Sequence, residues 1–159
     1  MRHEAGGGVT IRPGQAGDVD ALVAIENEVF PTDRLNARAL RRSLRSPTIS
    51  VLTAVQDGTP VGYALLYRRR ASSIVQLASI AVAPKAGGRG VGATLLEAAE
   101  REASRHGARR VRLEARPDNE PARALYRRAG YRRFEVVEEY YSDGTPAWRY
   151  EKELDGSGR

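Results

Sequence analysis

An α/β (α+β) fold, one mixed sheet of about seven strands with four helices packed on its faces, is what this 159-residue sequence predicts. Three observations carry that reading. Apolar spacing switches between strand alternation and helical period in the order β-α-α-β-β-β-α-β-α-β-β. Two turn segments, Asp57-Gly58-Thr59-Pro60 and Ser142-Asp143-Gly144-Thr145-Pro146, join adjacent strands as hairpins. A connection with four glycines (Gly87, Gly88, Gly90, Gly92) leads from an apolar strand into an amphipathic helix.

The elements follow in order. Residues 9–12 form a short strand that ends at Pro13-Gly14. Asp18 is placed to cap a helix carrying Val19, Leu22, Ile25 and Val29 on one face. The segment Phe30-Pro31-Thr32-Asp33 breaks it, and a second helix over 35–45 stops before Pro47. Strands 48–56 and 61–69 flank the first hairpin turn, and a third strand, 74–83, runs into the glycines. A helix over 91–106 turns Leu95, Leu96, Ala98 and Ala99 inward and stops at Gly107. Strand 111–115, a helix from the 117–121 segment to Gly130, and strands 131–140 and 147–154 complete the order. Residues 1–8 and 155–159 are expected to be flexible tails, which leaves one domain over 9–154.

Composition narrows the function classes. The sequence has no cysteine, so disulfides and thiol nucleophiles are excluded, and with only His3 and His106 no metal site is expected. No apolar run approaches the roughly 18 residues of a membrane span, and the first residues lack the apolar core of a signal peptide. A cytoplasmic protein without a membrane partner is expected. Net charge is +6, and Lys85 and Lys152 are the only lysines among 26 basic residues. Arginine clusters stand at Arg68, Arg69, Arg70 and at Arg127, Arg128, but the rest are spread along the chain. With no helix-turn-helix, zinc-finger or RNP-like segment, nucleic acid is not the expected partner; a solvated basic surface that helps attract an anionic ligand is.

The glycine-rich connection has the make-up of a phosphate site. Glycines let backbone N–H groups approach a ligand, and the start of a helix adds unpaired N–H groups and the positive end of its dipole. Two nucleotide motifs fail here. A P-loop needs a lysine where Ala93 follows Gly92, and the dinucleotide fingerprint needs a third glycine where Ala93 stands, with an acid about 20 residues on.

The motifs Ser79-Ile80-Ala81-Val82, Gly88-Arg89-Gly90-Val91-Gly92, and Leu113-Glu114 followed by Asn119, Ala122, Leu125-Tyr126 and Gly130-Tyr131 resemble the GNAT superfamily of acetyl-CoA-dependent N-acetyltransferases. The nearest likeness is to the bacterial ribosomal-protein-alanine N-acetyltransferase group, and it spans 9–154, including Phe30-Pro31 and the stretch from Tyr140 to Trp148. The resemblance implies a mostly antiparallel sheet and acetyl-CoA as co-substrate. Ile80, Ala81 and Val82 would run along the pantetheine arm, and Gly88, Arg89, Gly90, Val91, Gly92 and Ala93 would hold the pyrophosphate. Asn119 matches an acetyl-CoA-contacting asparagine, and it is equally suited to cap a helix. Glu114 matches the general base and Tyr126 the general acid that also meets the cofactor, although Tyr126 also fits an apolar helix stripe. The Val82 N–H is the expected oxyanion donor. Two departures stand out: Gly87 replaces the family's usual Gln or Arg, and Ala115 a usual Val.

The implied acceptor is a primary amine, foremost the α-amine of a protein N-terminus and in particular a ribosomal protein's. Glu138, Glu139, Tyr140 and Tyr141 are placed where such a peptide would dock. A small amine such as a polyamine or aminoglycoside, or a non-catalytic CoA-binding module, are the alternatives. A groove lined by the second helix and the last hairpin turn would favour the peptide, a closed acidic pocket the small amine. Monomer and homodimer both remain open.

Overall fold

The computed structural model describes residues 3–5 as backbone and residues 8–88 and 90–154 in full. Strands β1 (His3–Ala5), β2 (Val9–Pro13), β3 (Ile49–Gln56), β4 (Thr59–Arg68), β5 (Ile74–Val82), β6 (Arg110–Ala115), β7 (Arg132–Val137) and β8 (Ala147–Glu153) make one sheet in the order β1-β2-β3-β4-β5-β6-β8-β7. The expected strands are present, and β1 adds an eighth inside the segment read from sequence as a tail: His3–Ala5 pair antiparallel with β2. Only β5 and β6 are parallel. Helices α1 (Val19–Val29), α2 (Ala37–Arg45), α3 (Val91–Arg105) and α4 (Glu120–Arg128) cover the faces. None of them is long and apolar enough to cross a membrane, among the described residues.

Alternation along β4 shows how both faces are filled. Ala64 and Leu66 join the core beneath α3 and α4, with Leu95, Leu96 and Tyr126, while Tyr63 and Leu65 face α1 and α2, against Leu22, Ile25 and Leu40. Ala81 on β5 belongs to this second layer.

Local chemistry refines several expected boundaries. Asp18 does not cap α1. It ends a short 3-10 helix (Ala16–Asp18), and its buried carboxylate accepts from the Gln15 backbone N–H and from the Arg12 guanidinium at 2.8 and 2.9 Å. The second helix begins at Ala37, not residue 35, because the Asn36 side chain caps it by accepting from Ala39 N–H at 2.8 Å. Strand β7 stops at Val137, and the chain then turns with Glu139 at φ +50°.

One irregularity shapes the site. Leu65 pairs with Ser79 but Leu66 with Leu77, so Ala78 is the extra residue of a bulge in β5. Beyond it β5 stays paired with β4 as far as Val82, whereas its pairing with β6 ends at Leu77 opposite Leu113. The two parallel strands part there and leave residues 78–82 with a free edge.

Candidate active site

Residues 78–80 of the free edge line a cavity of about 310 Å³, whose lining stops short of Ala81 and Val82. Its lining includes Leu77 to Ile80 from β5, Glu114 from β6, Arg116, Asn119, Ala122 and Tyr126 from the β6–α4 segment, the 30–35 loop, and Tyr141. Strand alternation gives the edge its chemistry. Ala83 N–H donates to Val61 O of β4 at 2.8 Å, so the N–H of the preceding residue, Val82, points away from β4 into the gap. Ile80, two residues earlier, shares that direction.

Glu114 is set by its neighbours in the sheet. Oε1 accepts from Gln76 Nε2 of β5 at 2.6 Å, and Oε2 from Arg149 Nε of β8 at 3.0 Å. Arg149 is opposite Glu114 in the β6–β8 register and also reaches Glu135 at 2.9 Å. The carboxylate is therefore held on both flanks while its residue still faces the cavity. Neither partner was found from sequence, since their relation to Glu114 depends on strand order.

Tyr126 is brought to the same cavity by α4, which Asn119 starts by accepting from Ala122 N–H at 3.3 Å. The asparagine is thus a cap that also lines the cavity. Tyr126 is buried with Tyr131 and Tyr150, ring centroids 6.1 and 6.0 Å away. Burial raises its hydroxyl pKa well above the ordinary tyrosine value, and the nearby Tyr141 and Glu114 add to the shift. The hydroxyl keeps its proton throughout the neutral range.

The glycine turn sits beyond the cavity, at the start of α3. Gly88 and Gly90 adopt φ +78° and +77°, with open space where a Cβ would stand. Gly92 is a packing glycine: a Cβ there would meet Leu125 Cδ2 at 3.3 Å. Ala93 is exposed beside the turn, whereas Val91 is buried in the core, so Val91 can offer a ligand only its backbone. The same holds for Ala81, whose side chain packs under α1 and α2. Arg89 lies outside the described residues. Gly87, at φ −68°, needs no glycine conformation, so its departure from the family pattern removes a side chain and leaves the backbone path intact.

Arg116, in the cavity lining, ties three segments together. It forms ion pairs with Asp118 and Asp143 at 3.1 and 2.9 Å, bonds Thr145 and Thr32, and stacks over Tyr141. Asp33 accepts from the backbone N–H and hydroxyl of Ser142, which joins the 30–35 loop to the last hairpin turn. Tyr141 lines the cavity with exposed Tyr140 edge-on to it at 4.9 Å, whereas Glu138 and Glu139 are exposed outside the lining. The helix α2 is outside it too; the loop before it takes that place. Sequence reading also missed Glu26, a buried cavity acid that accepts from Tyr63 O–H and Leu35 N–H and whose pKa burial raises. Its signal was present: a charged residue interrupts the apolar stripe of α1 between Leu22 and Val29.

A carboxylate and a phenol on one cavity, an open strand edge, and a glycine turn at a helix start are the groups that acyl transfer from a phosphate-bearing donor would call on. Comparison with known proteins specifies the class. Residues 19–131 match the model of the Acetyltransferase (GNAT) family, and the chain belongs to that family of acetyltransferases. It is 35% identical over 136 residues to the N-alpha-acetyltransferase RimI of Mycobacterium tuberculosis, covering 84% of each chain. It is 28% identical over 150 residues to an N-alpha-acetyltransferase of Saccharolobus solfataricus, covering 87% of this chain and 89% of that one. Among solved structures, the ribosomal-protein-S18-alanine N-acetyltransferase from Escherichia coli shares the fold, with a TM-score of 0.81 at 23% identity over 92% of this chain and 94% of the other.

Proposed function

We propose that this acetyltransferase moves the acetyl group of acetyl-CoA directly to the α-amine of a protein N-terminus, a ribosomal protein's in the first instance. The observation that carries the reading is the meeting of Glu114 and Tyr126 on one cavity beside the free edge of β5. The 30–35 loop and Tyr141 of the last hairpin turn both line the cavity, two chain segments that could flank an extended peptide end. The N-alpha-acetyltransferase names of its relatives support the same acceptor.

The residues present fit the donor. The edge of 78–82 offers strand-type hydrogen bonds to the pantetheine amides, and the positive-φ turn at Gly88 and Gly90 brings backbone N–H groups of the α3 start to the pyrophosphate. Acetyl-CoA supplies a thioester already activated toward an amine. Glu114, held by Gln76 and Arg149, takes a proton from the acceptor's ammonium, directly or through water, so that the free amine attacks the thioester carbon as its bond to sulfur breaks. The Val82 N–H steadies the acetyl oxygen as it gains charge. Tyr126 gives its proton to the departing sulfur.

The test is CoA-thiol release from acetyl-CoA with short peptides bearing a free or blocked N-terminus, and with polyamines. Turnover confined to the free α-amine is expected. Release with polyamines alone would assign the site to small amines.

A further inference from the structure

The arginines that the sequence scatters are collected by the topology. Ile49 pairs with Tyr67, Arg68 with Val75, and Ile74 with Arg110, so β3, β5 and β6 begin where β4 ends. Helices α2 and α3 run into β3 and β6 through short connections, so their C-termini lie at this same end of the sheet. Hydrogen bonds knot these segments together. Arg68 donates to Ser50 Oγ at 3.1 Å and to Pro47 O at 3.2 Å, and it lies 3.4 Å from His106 Nδ1. Arg109 N–H donates to Ser73 O at 2.7 Å. Around the knot stand Arg42, Arg45, Arg69, Arg70 and Arg109, all exposed and, among the described residues, none ion-paired with a carboxylate.

Helix dipoles account for part of this charge: Arg42 and Arg45 stand in the last turn of α2. They do not account for Arg69, Arg70 and Arg109, which belong to connections outside any helix. The cluster also lacks an apolar centre. Of the exposed large hydrophobic residues, Tyr67 turns to the catalytic cavity, Phe134 lies under Arg112 and Arg149, and Val136 and Tyr140 sit toward the opposite end of β7. A protein interface of useful affinity has an apolar, aromatic-rich core, and membrane attachment inserts apolar side chains. Arginine forks without either suit a phosphate backbone, which accepts paired N–H donors and is bound without reading bases.

We propose that this arginine-rich end binds RNA through its phosphates, independently of sequence, and so holds the enzyme beside an RNA-containing assembly while the cleft works. Helix α3 separates the two functions: its 15 residues span about 22 Å between the glycine turn and the arginine cluster. The preference for RNA among polyanions rests on the proposed acceptor, since protein N-termini first emerge where RNA is abundant. The basic surface expected from sequence to be merely solvated is thereby given a partner.

The test measures binding of the full chain to a labelled 20-nucleotide RNA hairpin, a polyglutamate peptide and phosphatidylserine vesicles. RNA should bind best, with log K falling about 3.5–4.5 per tenfold rise in salt for five phosphate contacts. Arg69→Glu/Arg70→Glu should weaken RNA binding at least tenfold, with peptide acetylation unchanged. Arg38→Glu/Lys85→Glu, an equal charge change at exposed sites elsewhere, should cost less than threefold. Equal losses in both pairs, salt-insensitive binding, or a preference for polyglutamate or vesicles would overturn the proposal. Because binding and turnover are read separately, an error in the assigned acceptor appears in the turnover assay alone.

Discussion

Replacing Glu114 with Gln separates chemistry from architecture, because the structure sets the size of each effect. The carboxylate accepts one bond from Gln76 Nε2 and one from Arg149 Nε. A glutamine amide keeps one acceptor oxygen but turns its NH2 toward the other donor, so one bond is lost. Arg149 is not stranded, since Glu135 holds it at 2.9 Å. The expected stability cost is about 1–2 kcal/mol, a fall in Tm of roughly 2–8 °C for a chain of this size. The effect on turnover is larger. Losing a general base lowers kcat by about 10²-fold or more, or at least ~2.7 kcal/mol of barrier. Steady-state CoA-thiol release at saturating acetyl-CoA, read beside the Kd for acetyl-CoA and a thermal melt, distinguishes them. Wild-type kcat within threefold in a folded E114Q protein would remove Glu114 as the base and leave it a cross-strand linker.

Tyr126→Phe keeps the ring packing against Tyr131 and Tyr150; kcat should fall at least ~30-fold with Tm nearly unchanged, and a variant that unfolds without losing specific activity would make Tyr126 a core residue only. Gly62→Ala would put a Cβ 2.8 Å from Ala81 O and 3.1 Å from Leu95 Cδ1, forcing β4 and β5 apart beside the catalytic edge. It should cost about 1–3 kcal/mol and raise KM for acetyl-CoA, and an unshifted urea midpoint would show that the sheet absorbs the methyl. The Arg12 hydrogen bond holds the Asp18 carboxyl below its ordinary range. The stability it contributes is complete above the unfolded value of about 3.9 and is lost as pH falls through the lower folded value. Urea midpoints measured from pH 7 to pH 2 should therefore drop steeply only below about 4 in the wild type, whereas Asp18→Asn should be weaker at pH 7 and flatter at the acid end.

Legibility followed the range of the interaction. The strand–turn–helix at Gly88 and Gly90 and the cap at Asn119 are set by backbone chemistry within a few residues, and sequence reads them directly. Glu114 and Tyr126 were legible because they match the family's motif without a gap, twelve residues apart on one strand–helix unit. Asp18 was misplaced because its carboxylate had two partners to choose from, and the buried contact with Arg12 on β2 outweighed a cap on α1. Within the segment 1–8 read as a tail, the pairing of His3–Ala5 with β2 is a contact that composition does not carry.

By itself the sequence determined the element order and the glycine turn, since each depends on local spacing and residue chemistry, while Glu114 and Tyr126 entered as base and acid candidates through the family resemblance of their motif. Tertiary structure decided what surrounds them. The gap between β5 and β6 arises from a bulge at Ala78 and from pairing that stops at Leu77. Arg149 meets Glu114 only because β8 inserts between β6 and β7. Arginines from three chain segments, 42–45, 68–70 and 109, meet at one end only because antiparallel and crossover connections return there. Such contacts join residues dozens of positions apart, and chain order alone leaves them undetermined until the sheet order is fixed.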